Sequence, residues 1–275
     1  MMKFLKVLFA FYINSSVHVA LVVTALVGLT QLSTGLEISW MIYAFVFLGT
    51  ITGYNFVKYA KVAGLHHRSL AKSLKAIQVF SALCAALLVL VLWQSPLQIL
   101  IYATGFGLLI FLYAVPFMAG YNLRSVGGLK VFIVATVWAG ITVIIPIVWE
   151  EESLDATIWL LFLQRFVLVV VWILPFEIRD MRYDSFSLGT MPQRLGVNRT
   201  KAVGVVLLGL ALLCEFYLSN GAFWKIYAAV IMIVLSGVML VRAGKRQGQY
   251  YASFWVESIP IWWLMVTYFF LQLSF

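Results

Sequence analysis

Apolar residues run along this chain in nine stretches, roughly 16–33, 38–57, 76–94, 97–119, 128–149, 156–176, 202–219, 222–242 and 253–274. A hydrocarbon core about 30 Å thick is crossed by about 17–25 residues of helix. Inside lipid the backbone must satisfy its own hydrogen bonds, so each stretch is expected to be a helix. The intervening segments are short, and no soluble domain fits between them. Residues 1–275 therefore read as a single integral membrane domain: an all-α, polytopic bundle of about nine transmembrane helices. The start, Met1 to Ile13, pairs two lysines with a short apolar stretch. It is expected to be an uncleaved interfacial lead-in rather than a signal peptide, because no small-residue cleavage site stands out.

Composition agrees. Hydrophobic residues are 64% and charged residues 11%, against about 45–50% and about 25% in soluble domains. The net charge of +9 is no nucleic-acid signal, since the basic residues fall in alternate gaps. Lys3 and Lys6 precede the first span. Lys58, Lys61, Arg68, Lys72 and Lys75 follow the second, Arg124 and Lys130 the fourth, and Arg179, Arg182, Arg194, Arg199 and Lys201 the sixth. Arg242, Lys245 and Arg246 follow the eighth. The other gaps are neutral or acidic, as at Glu150, Glu151, Glu152 and Asp155. The positive-inside rule then predicts a cytoplasmic N-terminus and an external C-terminus. With no organelle-type presequence, the expected home is a bacterial cell (inner) membrane. Cys84 and Cys214 fall inside spans and are expected to be buried thiols.

The candidate chemistry sits after the sixth span, in Glu177-Ile-Arg-Asp180-Met-Arg-Tyr-Asp184. The chain has only ten Asp and Glu, and three cluster here at spacings of three and four, one face of a helix. Carboxylates so placed repel unless a cation lies among them: a divalent ion, Arg179 and Arg182, or both. Mg²⁺ is typically held by one or two carboxylates together with substrate phosphates.

This segment resembles the second aspartate-rich motif of the UbiA superfamily of intramembrane prenyltransferases, Asp-x-x-x-Asp followed by Gly-x-x-Thr-x-Pro-x-x-Leu-Gly. Asp180 and Asp184 stand at the pair, Glu177 at the preceding acid, and Gly189, Pro192, Leu195 and Gly196 continue the pattern, with Thr190 two positions early. The family's first motif, Asn-Asp-x-x-Asp-x-x-x-Asp, keeps only Asn55. Phe56, Tyr59 and Ala63 take the aspartate positions, and Lys58 and Lys61 lie among them. Tyr113-x-x-Pro116 followed by Leu129-Lys130 is similar to a third family element.

The resemblance implies that Asp180 and Asp184 are catalytic, that Glu177, Asp180 and Asp184 hold Mg²⁺, and that Asn55, Lys58, Lys61, Arg124 and Lys130 bind a diphosphate. The implied partners are a prenyl diphosphate, a membrane-soluble aromatic or lipid acceptor, and membrane lipid. The implied reaction is transfer of an isoprenyl group. The degenerate first motif leaves a second reading open, a non-catalytic relative binding an isoprenoid lipid or quinone. A transporter is a third, disfavoured because the polar residues gather at one face.

Deeper in the spans lie Arg165, Glu215 and Glu257. Arg165 and Glu215 are expected to pair if spans six and seven pack together, and Glu257 to face the acidic cluster. Trp40, Trp93, Trp149, Trp224 and Trp255 suit an aromatic belt, while Trp138, Trp172, Tyr102 and Tyr113 are candidates to line a cavity.

Overall fold

In the computed structural model, which describes residues 2–59, 74–116, 123–126, 128–183 and 188–274, ten helices carry the architecture. Helix α1 (Met2–Asn14) leads in. Nine long apolar helices follow: α2 (Val17–Thr34), α3 (Trp40–Tyr59), α4 (Leu74–Trp93), α5 (Leu97–Ala114), α6 (Leu129–Trp149), α7 (Ala156–Asp180), α8 (Val197–Leu218), α9 (Phe223–Arg242) and α10 (Tyr251–Leu273). Among the described residues there is no strand. The nine spans match the nine apolar stretches one for one.

The boundaries that moved have local causes. Helix α5 stops at Ala114, five residues short of the apolar run, because the residue before Pro116 is pushed out of the helical region. Val115 is extended, at φ −95° and ψ 129°. Helix α7 opens on an Asp155 cap that accepts the Ile158 N–H at 2.9 Å, the standard rescue of a free first-turn donor. It then runs past Pro175 to Asp180, carrying the acidic cluster on its last turn. The Pro175 carbonyl accepts from Gln247 Nε2 at 3.0 Å, which ties the segment before α10 to that turn.

Two spans contain a π-helical stretch: Gly140–Ile144 within α6 and Tyr251–Val256 at the start of α10. Such bulges insert a residue into the helix and re-aim the side chains beyond it. At the first, Gly140 has no side chain because the Phe106 ring of α5 occupies the place of a Cβ.

Helices α2, α6 and α7 form the middle of the bundle: 61%, 78% and 61% of their apolar windows are buried, against 11% for α4 and 17% for α5. Helix α7 packs on α6 and α8, α2 on α3 and α10, and α9 on α8 and α10. Helices α4 and α5 thus form an outer wall, with Val79, Leu83, Leu87, Leu90, Ile101 and Leu108 exposed. On a chain this apolar, that exposure is a face for lipid. Trp40, Trp93 and Trp255 are exposed near span ends, as an aromatic belt requires. Cys84 and Cys214 are buried and free.

Candidate functional site

One end of the bundle gathers charge. Glu177, on the last turn of α7, is 1% exposed and meets Lys130 Nζ of α6 at 2.7 Å. Its Oε2 has no hydrogen-bond partner among the described residues. Asp180, one turn on, accepts from Arg179 Nε at 2.8 Å, and the Arg179 guanidinium lies over the Phe176 ring, 5.2 Å from its centroid. Glu257, at the start of α10, lies within electrostatic reach of Lys58 and Arg179. Lys58 turns inward, donating to Ser16 Oγ at 2.9 Å with its ammonium 5.8 Å from the Tyr54 ring centroid. Among the described residues, the cations Lys58, Lys130 and Arg179 and the carboxylates Glu177, Asp180 and Glu257 thus gather at this end.

Asn55 is buried and fully committed to structure. Its amide donates to the Ser15 carbonyl at 2.9 Å and to Ser81 Oγ at 2.7 Å, and its Oδ1 accepts from Ser16 Oγ at 2.8 Å. It therefore ties the α1–α2 turn to α3 and α4 instead of facing the carboxylates. Ser16 holds a left-handed backbone at φ 64°, uncommon for a residue with a side chain, and serves both Asn55 and Lys58. Arg124 sits half-buried in a 3₁₀ turn, Leu123–Ser125. Lys61 and Asp184, with His66 and His67, lie outside the described residues.

Sequence reasoning did not single out His18. It is buried in α2, with Nδ1 2.7 Å from the Tyr12 hydroxyl. Its Nε2 is 3.3 Å from the Phe254 carbonyl and 3.4 Å from Ser258 Oγ. A carbonyl only accepts, so Nε2 carries the proton and Nδ1 accepts from Tyr12. Burial, and then the Glu257 carboxylate, push the Tyr12 phenol up from its ordinary value. A lone histidine inside an apolar run was the available signal.

Beside the charged centre, a cavity of about 580 Å³ opens between α3, α4, α5 and α6. Its walls are mainly aliphatic and aromatic, with Thr50, Thr52 and Thr104, and no charged residue is among the described residues lining it. Tyr113 and Trp138 line it as expected. Trp172 instead donates to Ser236 Oγ at 3.0 Å, and Tyr102 sits at the surface. Tyr54 lines the wall near Lys58, and its hydroxyl oxygen accepts from Trp138 Nε1 at 2.8 Å.

No family model, no curated protein and no solved structure matches the chain. The UbiA resemblance rests on the residues quoted for it.

Among the described residues there is no group of three or more His, Cys, Asp and Glu able to hold a metal ion. The two described carboxylates of the motif are each engaged by a cation of the chain, Glu177 by Lys130 and Asp180 by Arg179. Asp184, the third acid of the motif, lies outside the described residues.

A second polar cluster lies deeper in the bundle. Helices α7 and α8 do pack together, but Glu215 accepts from Gln164 Nε2 at 2.6 Å and not from Arg165. Arg165 is wholly buried, donates to the Leu26 carbonyl at 3.2 Å and lies over Trp263 at 5.6 Å. Its positive charge still reaches Glu215. Lys225 Nζ donates to the Ser33 carbonyl at 3.0 Å. Each contact joins two helices, which marks this cluster as an internal tie.

Proposed function

We propose that this protein binds an isoprenoid-type lipid within the membrane, in the cavity between α3, α4, α5 and α6. The observation that carries this reading is the combination of size and lining: about 580 Å³ with no charged residue among the described residues of its walls. Ligand sites of about 300–1,000 Å³ are lined mainly by apolar and aromatic side chains with few polar groups. An anionic head finds no countercharge among the described wall residues, and an unpaired charge there is strongly disfavoured. In the neighbouring centre, Lys130 and Arg179 are already engaged by Glu177 and Asp180.

The test fills the hollow. Gly107 lines the cavity, and a Cβ added there meets nothing within 4 Å. Gly107→Phe should therefore fold and displace the ligand. Binding of a labelled prenyl alcohol to protein-loaded nanodiscs should saturate in the parent and be lost in the variant. Equal binding by both sinks the reading.

A second reading, prenyl transfer, is supported by the unpartnered Oε2 of buried Glu177 and by the Asp180–Asp184 spacing. In it, Asp180 exchanges Arg179 for a Mg²⁺-bound diphosphate, with Lys130 and Arg124 at its flank, and the tail occupies the same cavity. Incubation with Mg²⁺, a labelled prenyl diphosphate and a membrane lipid extract decides it. Diphosphate release that disappears in Asp180→Ala supports transfer; no turnover across chain lengths leaves the binding reading.

A further inference from the structure

The polar atoms of the cavity specify a ligand more closely than its volume does. Hydroxyls in these spans habitually donate to the carbonyl four residues back: Thr24, Thr30, Thr34, Thr50, Thr142, Thr200, Ser236 and Thr267 all do so. Thr52, on the cavity wall, does not; its Oγ1 is buried without a partner among the described residues. Tyr54 is the second exception. Its oxygen already accepts the Trp138 indole N–H at 2.8 Å, which fixes the phenol ring and leaves its O–H as the free function. That O–H has no acceptor among the described residues. Buried donors without acceptors are rare and costly, and a donor whose oxygen already accepts a hydrogen bond is polarised toward giving its own proton.

We propose that Tyr54 is a ligand-binding residue that donates a hydrogen bond to the carbonyl of a neutral, quinone-type ring carrying an apolar tail. The inference rests on the lipid-binding reading of the same cavity and names its ligand class. A quinone carbonyl only accepts, which matches a site whose free functions are hydroxyl donors. The ring meets aromatic neighbours in Trp138, Tyr113 and Phe106, whose faces and edges suit stacking. Size agrees as well. A cavity of about 150 Å³ takes one benzene, so about 580 Å³ takes one ring and a tail of about three isoprene units. A plain prenyl alcohol fills the tail space but leaves the ring space empty.

The experiment compares two probes on full-length protein in phosphatidylcholine nanodiscs: a benzoquinone with a carbon-13-labelled carbonyl and a tail of about three isoprene units, and the prenyl alcohol of equal tail. Binding is measured against empty nanodiscs, and the carbonyl stretch is read by isotope-edited infrared difference spectroscopy. The quinone should bind more tightly than the alcohol, with its carbonyl band lowered from the value in empty nanodiscs. Tyr54→Phe should weaken quinone binding by about 3- to 10-fold, the worth of one hydrogen bond, and return the band to its free position, with an unfolding temperature in detergent equal to the parent's certifying its fold. Thr52→Val should behave likewise with a smaller shift. If the alcohol binds but the quinone does not, or if Tyr54→Phe leaves the band where the parent has it, the ring assignment is wrong while lipid binding stands. If neither probe binds the parent, the underlying reading falls and this one with it.

Discussion

Replacing Lys130 with methionine isolates what the Lys130–Glu177 pair contributes. The stem of the lysine is kept and only the ammonium is lost. Glu177 is 1% exposed and 2.7 Å from Lys130 Nζ, and its Oε2 has no partner to compensate. At that separation the gross attraction is about 6 kcal/mol for an effective dielectric of about 20. The net loss is smaller, because the lysine's own desolvation is relieved. Removing one partner of a buried pair typically costs about 3–5 kcal/mol, whereas replacing both with apolar residues is neutral or stabilising. Lys130→Met should therefore lower the unfolding temperature in detergent by roughly 6–20 °C, at about 2–4 °C per kcal/mol for a chain of this size class. Lys130→Met combined with Glu177→Leu should recover most of it. A single variant that unfolds with the parent, or a double variant no better than the single, refutes the claim that this carboxylate is buried against that ammonium.

Three further outcomes follow from contacts described above. Gly140→Ala sets a methyl on the Phe106 ring and should destabilise by about 1–3 kcal/mol, with Phe106→Leu in the same chain restoring the unfolding temperature. Asn55→Leu strips the two bonds that hold the α1–α2 turn and the one to Ser81 of α4; at roughly 0.6–1.7 kcal/mol per interhelical bond in membranes, a loss of about 1–3 kcal/mol is expected in the same assay. For the expected orientation, Gln94→Cys and Gln249→Cys should react with an impermeant maleimide from opposite faces of the membrane, Gln94 from outside, while native Cys84 and Cys214 stay unlabelled until the protein is denatured.

The spans could be read directly because lipid demands long apolar helices and the sequence supplies them without ambiguity. The placement of charge could be read only partly. Glu177 and Lys130 were each recognisable as site residues, one as a metal ligand and one as a phosphate binder. That they meet depends on α6 packing against α7, forty-seven positions apart in the chain. The expected Arg165–Glu215 pair failed by a single residue: Gln164 makes the contact, and one step along a helix is about 100° of rotation. Tyr54 and Thr52 stood beside Asn55 in plain sight. Nothing in their spacing says that Trp138 will occupy one hydroxyl, or that the other will forgo its own helix. The π-helical stretch at Gly140–Ile144, which sets the phase of the C-terminal end of α6, leaves no mark in the hydrophobic pattern.

Helices α4 and α5, so sparsely covered by the rest of the chain, are also two of the four walls of the cavity. On the lipid-binding reading, a guest would enter sideways between them from hydrocarbon without crossing water, and its supply would be set by its abundance among the surrounding acyl chains. Dissociation constants for this site belong on a mole-fraction scale, and the same protein reconstituted at two lipid-to-protein ratios would return two different aqueous values for one intrinsic affinity.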